Sequence, residues 1–249
     1  MPHSTQDHFG NKSIPEHLKE ARARGAKASA EIHGTEISGQ KAAFGDALKD
    51  TALAASLLWI LITPLLAEKS AIAFLLLFLL GWTVWKTCRS ASFGWARLER
   101  LHRVIEEERW EIEHHRQQEK EELYELYRAK GFEGNLLNQV IDVLMADDNR
   151  LLQIMLEEEL GLPLESYEHP LKQASGALLG SLLIVFFSII SYLLMPPMYL
   201  IGVLLFCFLA AGVFIAKTEN IKLLPSFIWN IAIFALSTGL MYFIRQFIQ

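Results

Sequence analysis

Cysteine is scarce in this sequence, with Cys88 and Cys207 the only two among 249 residues. Both fall at or inside apolar runs and neither has zinc-ligand spacing, so a disulfide scaffold and a cysteine-based zinc site are excluded. An excess of basic charge is lacking as well. Lys and Arg number 23 against 28 Asp and Glu, a formal net charge of −5, which argues against a nucleic-acid binder. Charged residues make up 20% of the chain and apolar ones 52%, against about 25% and about 45–50% in globular domains. That balance excludes a disordered chain and an ordinary soluble protein. No nucleotide loop, nucleophile elbow or zinc-hydrolase motif is present, so no enzyme and no organic cofactor are expected. The first residues also lack the short apolar core of a secretory signal, so no cleaved leader is expected.

Long uncharged apolar runs are what the chain has instead. Residues 70–88 contain AIAFLLLFLLGWTVW, 174–195 carry no charge, and 198–216 and 223–244 are likewise uncharged. Each approaches or exceeds the ~20 residues that cross ~30 Å of hydrocarbon at 1.5 Å per residue. A fifth run, 52–67, reaches spanning length only if Leu48 to Thr51 continue the same helix. Five spans place the termini on opposite faces. The tail to Asp50 holds seven Lys/Arg and the segment from Arg89 to His169 holds ten, while the opposite face keeps Lys69 and Arg245. The positive-inside rule therefore puts the N-terminus and the middle of the chain in the cytoplasm. The sequence predicts an all-α integral membrane protein of five transmembrane helices with a three-helix cytoplasmic insert between spans two and three. Its segments are a polar cytoplasmic N-terminal tail (1–43), spans one and two (44–89), an acidic helical insert (90–169) and spans three to five (170–249).

Within the insert, neither Gly nor Pro interrupts the chain from Trp95 to Gly131, which predicts one helix projecting from the membrane. Gly131 is its expected C-cap. A second helix is expected over 135–146, with Leu136, Val140, Ile141 and Leu144 on one face. A third is expected over 148–160, starting at the Asp147-Asp148-Asn149 cap cluster and ending at Gly161. Pro163 and Pro170 then lead back to span three.

The acids carry the chemistry. Glu108 and Glu111 are spaced i, i+3, and Glu119 and Glu122 repeat the spacing eleven residues on. On one continuous helix both pairs share nearly one face, about 16 Å apart along the axis. Carboxylates on one face repel, and hard divalent cations or Fe²⁺ and Mn²⁺ would relieve them. Glu157-Glu158-Glu159 after Met155 would add further oxygen and a thioether if the third helix folds back. The alternative is a solvated charged face with Arg109, Arg116, Lys120 and Arg128 in i±4 pairs.

These residues resemble a known family. The run Glu108-x-x-Glu111, then Glu119-x-x-Glu122-Leu-Tyr-x-x-Tyr-x-x-Lys-Gly131, then Met155-x-x-x-Glu159-Leu-Gly-Leu162 is similar to the cytoplasmic metal-binding domain of the vacuolar iron transporter family. The downstream order of a Pro, an Ala/Gly-rich third span, a Pro corner and two further spans matches too. The resemblance implies a five-span homodimer that moves Fe²⁺, and often Mn²⁺, out of the cytosol in exchange for protons. It implies Glu108, Glu111, Glu119, Glu122, Met155 and Glu159 as the metal ligands of the insert. It also implies the plasma (inner) membrane in a bacterium or a vacuolar-type membrane in a eukaryote. Four residues depart from the family pattern. Leu156 stands where a second methionine often follows. Asp46 and Asp50, the expected ion-path acids of span one, are shifted and lack a following glycine. Lys86 lies where span two usually carries a carboxylate, and is expected to snorkel toward the headgroups.

Other residues take structural readings. His114 and His115 sit one turn from Glu111 and are expected to be exposed rather than ligating. Ser175, Ser181, Ser188 and Ser191, with Gly176 and Gly180, read as a small-residue packing face. Trp82, Trp85 and Trp229 read as interfacial anchors. Residues 16–30 form either a helix on the anionic leaflet or a solvated segment. The expected function is divalent-metal transport. A membrane-anchored metal-binding or sensing protein that has lost transport is the alternative, and a structural protein whose charged insert docks a partner is a third reading.

Overall fold

In a computed structural model of the chain, residues 13–29, 39–162 and 169–247 are described. The expected return through Pro163, and parts of the N-terminal tail, lie outside those residues. The described chain is helical, in nine helices: α1 (Ile14–Ser29), α2 (Gln40–Ile62), α3 (Glu68–His114), α4 (Arg116–Ala129), α5 (Gly134–Met145), α6 (Asp148–Ile154), α7 (Pro170–Leu194), α8 (Leu200–Thr218) and α9 (Leu223–Arg245). They cluster into two compact units. One joins α1 to the chain from Ala96 through α6, and the other joins α2, α3 as far as Trp95, and α7 to α9.

Among the described residues, four helical segments are long and apolar enough to cross a membrane: Glu68–His114, Pro170–Leu194, Pro197–Thr218 and Leu223–Arg245. Their outer faces present Phe74, Leu77, Leu182, Phe186, Leu236 and Phe243 to the surroundings. Apolar area of this kind is stable against lipid and unfavourable against water. The expected first span is not one of the four. Instead of starting at residue 52, α2 runs from Gln40 to Ile62 and carries Asp46, Lys49 and Asp50 in its first half. It is nonetheless packed closely by its neighbours, with Ala52, Ala55 and Ser56 fully buried.

Small residues explain that packing. A Cβ on Gly176 would meet the carbonyl oxygen of Gln40, and one on Gly180 that of Phe44, so α2 and α7 approach backbone to backbone. Hydroxyls cross the same contact, Thr51 donating to Ser181 at 3.2 Å. Trp82, expected as an interfacial anchor, donates its indole N–H to Thr51 at 3.2 Å. Leu75 and Leu79 of α3, Ile184 of α7, Leu204 and Phe208 of α8 and Phe234 of α9 complete the core.

The other unit first departs from its sequence expectation at His115. Instead of one helix to Gly131, the chain breaks at His115, whose backbone (φ −125°, ψ 29°) leaves the helical region. No Gly or Pro marks the break, so tertiary packing imposes it over local propensity. Beyond it the caps follow the sequence. Gly131 has φ 92°, and Phe132 and Gly131 donate to the carbonyls of Tyr127 and Arg128 at 3.2 and 3.0 Å, the paired bonds of a Schellman C-cap. Asp147 caps α6 by accepting from the Arg150 amide at 2.8 Å. The third helix of this unit differs from a plain α-helix: after Ile154 it widens into a π-helical turn over Met155–Glu159.

Residues 16–30 were expected on the leaflet or in solvent, yet α1 docks within this unit. A capping box starts it, the Glu16 carboxylate accepting from the Ser13 hydroxyl and amide at 2.9 and 3.1 Å. His17, Ala21 and Gly25 form its buried stripe, and a Cβ on Gly25 would collide with the Leu160 carbonyl. A close helix contact therefore requires glycine there.

Candidate metal centre

The break at His115 decides the geometry of the acids. On a straight helix Glu108 and Glu119 stand about 16 Å apart. With the turn, one carboxylate oxygen from each of Glu108, Glu119 and Glu159 lies within 4.8 Å of the others. A second triplet, His17 with Glu122 and Glu159, is gathered within the same limit. Glu108, Glu119, Glu122 and Glu159 are 3%, 1%, 0% and 2% exposed. This is not a solvated charged face. Two of the cations expected to pair with it turn outward, Arg116 to Asp148 at 2.5 Å and Lys120 to Asp142 at 3.3 Å.

Burial sets the electrostatics. Glu119 is pushed up to about 11, first by desolvation and then by the charges of Glu108, Glu122 and Glu159. Glu122 rises to about 7, chiefly through burial. Desolvation and neighbouring carboxylates hold Glu108 and Glu159 well above the ordinary range, while Arg24 pulls the other way. Groups gathered this closely cannot all ionise without a cation among them. The Glu108 Oε1 atom has no hydrogen-bond partner among the described residues, which in a buried carboxylate marks a lone pair available to a ligand.

Of the remaining expected ligands, Glu111 is half-buried. With Arg24, Arg103, Glu106, Glu107 and Trp110 it lines an open cleft of about 500 Å³. Met155 is fully buried in the apolar core with Leu123, Ile141 and Leu151. His114 is exposed, its Nδ1 lying 2.9 Å from the Trp110 carbonyl and its ring stacked on Trp110. Sequence reasoning missed His17, although a signal was there. The spacing His17-x-x-x-Ala21-x-x-x-Gly25 writes a narrow i, i+4, i+8 stripe on an otherwise charged helix, and such a stripe is a docking face.

Asp46 and Asp50 lie in the membrane unit and meet Lys86. Lys86 does not snorkel. It is 1% exposed, and its Nζ sits 2.9 Å from Asp46 Oδ2 and 2.8 Å from Asp50 Oδ2. Two carboxylates one turn apart on α2 hold the ammonium inside the bundle through charge-assisted hydrogen bonds.

Four helices long and apolar enough to cross a membrane, with a buried multi-carboxylate cluster that could hold a metal ion, mark the described residues as those of a membrane protein with a candidate metal centre. Residues 95–246 match the model of the VIT family, the vacuolar iron transporters. The match covers more than half of the chain, and the chain belongs to that family. No curated protein matches it. Members of the family are membrane transporters of metal ions and not enzymes.

Proposed function

We propose that the protein exports Fe²⁺, and also Mn²⁺, from the cytosol in exchange for protons, with ions first collected by the acidic unit. The observation that carries this reading is the burial of Glu108, Glu119, Glu122 and Glu159 in one place. Such a cluster is unfavourable empty and ionised, and favourable around a doubly charged ion. Glu111 and Met155 complete the proposed ligand set, Glu111 at the open cleft and Met155 as a soft donor. Asp46 and Asp50 form the proposed ion path.

In this reading α2 is the first of five membrane helices, sheltered from lipid by the other four. The proposed segments are 1–43, 44–89, 90–169 and 170–249, and the positive-inside bias supports a cytoplasmic N-terminus and insert. A homodimer and proton coupling follow from the family resemblance. Each ion bound by protonated carboxylates displaces protons, so the same groups supply the exchange.

The test is metal uptake into vesicles containing the purified protein. Fe²⁺ or Mn²⁺ accumulation driven by a proton gradient is expected for the unmodified chain, with strong loss in Glu119→Ala and in Asp50→Asn. Unchanged uptake in both variants discards the site assignment. Metal binding without any flux favours the sensing alternative.

A further inference from the structure

We propose that His17 is a metal ligand, so that the N-terminal helix supplies a nitrogen donor and turns part of the carboxylate cluster into a mixed nitrogen–oxygen site. The inference rests on the metal-binding reading of the acidic unit and names a ligand outside the family-matched residues 95–246.

Distances carry the argument. His17 Nε2 lies 3.7 Å from Glu122 Oε1 and 3.6 Å from Glu159 Oε1, with all three side chains buried. These separations are long for a hydrogen bond, which prefers about 2.7–3.2 Å. They suit ligands that share one ion. At metal–ligand distances of about 2.1 Å, two donors at roughly 90–120° stand about 3.0–3.6 Å apart, at or just inside the spacing seen here. Glu159 belongs to both triplets, so a carboxylate links the His17 position to Glu108 and Glu119, where Glu108 Oε1 is without a hydrogen-bond partner among the described residues.

The placement of His17 is built into the fold. Ser13 and Glu16 fix the start of α1. Ala21 is fully buried, Gly25 admits the Leu160 backbone, and Arg22 donates to the Glu158 carbonyl at 3.3 Å. A helix seated at three points delivers its first-turn histidine to the acids. Imidazole is a borderline donor that favours Fe²⁺ and Zn²⁺, whereas Mg²⁺ and Ca²⁺ take oxygen. His17 thereby discriminates against the abundant hard cations, a task that carboxylates alone perform poorly.

Pulsed electron paramagnetic resonance of Mn²⁺ bound to the full-length protein tests this. A ¹⁴N modulation is expected on the Mn²⁺ echo, lost in both His17→Gln and His17→Ala while Mn²⁺ stays bound. The glutamine variant keeps a polar side chain of similar reach if alanine loosens α1. In competition, both variants should lose part of the preference for Fe²⁺ over Mg²⁺. Mn²⁺ binding with no nitrogen modulation in the unmodified protein, or modulation that persists in both variants, overturns the assignment of His17 and leaves the glutamates standing. Absence of Mn²⁺ binding in the unmodified protein overturns the glutamate site and His17 with it.

Discussion

Two parts of this molecule gather acidic side chains, and they neutralise them in opposite ways. In the membrane unit Asp46 and Asp50 close on the Lys86 ammonium at 2.9 and 2.8 Å, so the counter-ion is part of the chain. In the other unit Glu108, Glu119, Glu122 and Glu159 are drawn together, and burial with mutual repulsion outweighs the pull of Arg24. The first arrangement is neutralised at rest by its own lysine. The second would be stabilised by protons or by a metal ion in competition with them. Clustered carboxylates are therefore not one kind of site; what distinguishes them is whether the fold carries its own cation.

The largest effect is expected where the guest is removed. Glu119→Gln should weaken Mn²⁺ binding by more than about 100-fold, a loss beyond that typical of changing a residue that only orients a ligand. The same substitution should stabilise the metal-free protein. A carboxyl at about 11 is held protonated at pH 7, roughly 2.5 units above its ordinary range, which corresponds to about 3 kcal/mol. Denaturant unfolding with and without Mn²⁺ reads both changes. Equal loss of binding and of metal-free stability would mean that Glu119 is a packing residue.

Acidity sharpens the same contrast. Glu119 and Glu122 have folded values of about 11 and about 7 against 4.5 unfolded, so the folded unit binds more protons than the unfolded chain above pH 4.5. Their stabilising protons are fully in place below that pH and are lost as pH rises through 7 and toward 11. Metal-free stability should therefore fall from pH 5 to pH 8, and saturating Mn²⁺ should flatten the decline. A metal-free protein that gains stability over this range contradicts the carboxylate burial.

A smaller effect is expected in the membrane unit. Lys86→Met should destabilise it by about 1–3 kcal/mol, less than the 3–5 of a fully buried pair, because the Asp46 and Asp50 side chains keep 31% and 44% exposure. Adding Asp46→Asn and Asp50→Asn should restore most of the loss, as heat unfolding in detergent can show. Failure of that rescue would make Lys86 a packing residue.

How much of this was legible depends on the kind of signal. The apolar runs, the caps at Gly131 and Gly161 and the glutamates at 108, 111, 119, 122 and 159 are written locally, in hydropathy, chirality and spacing. The turn at His115 is not, because no residue there breaks a helix by itself and only the packing of α4 rewards the bend. That one change turned an expected axial separation of about 16 Å into a carboxylate contact within 4.8 Å. His17 and Lys86 were missed or misread for a related reason. Each was judged from its own segment, as part of a solvated helix or as a snorkelling cation, whereas its partners lie about a hundred or more residues away for His17 and about forty for Lys86.

Calorimetric titration of the metal-stripped, full-length protein with Mn²⁺ at pH 7, repeated in buffers of different ionisation enthalpy, reads ion binding and proton release together. Saturable binding with net release of protons is expected, because Glu119 at about 11 and Glu122 at about 7 hold protons that the ion must displace. No saturable heat, or binding that releases no protons, would contradict capture of a divalent ion by the buried carboxylates.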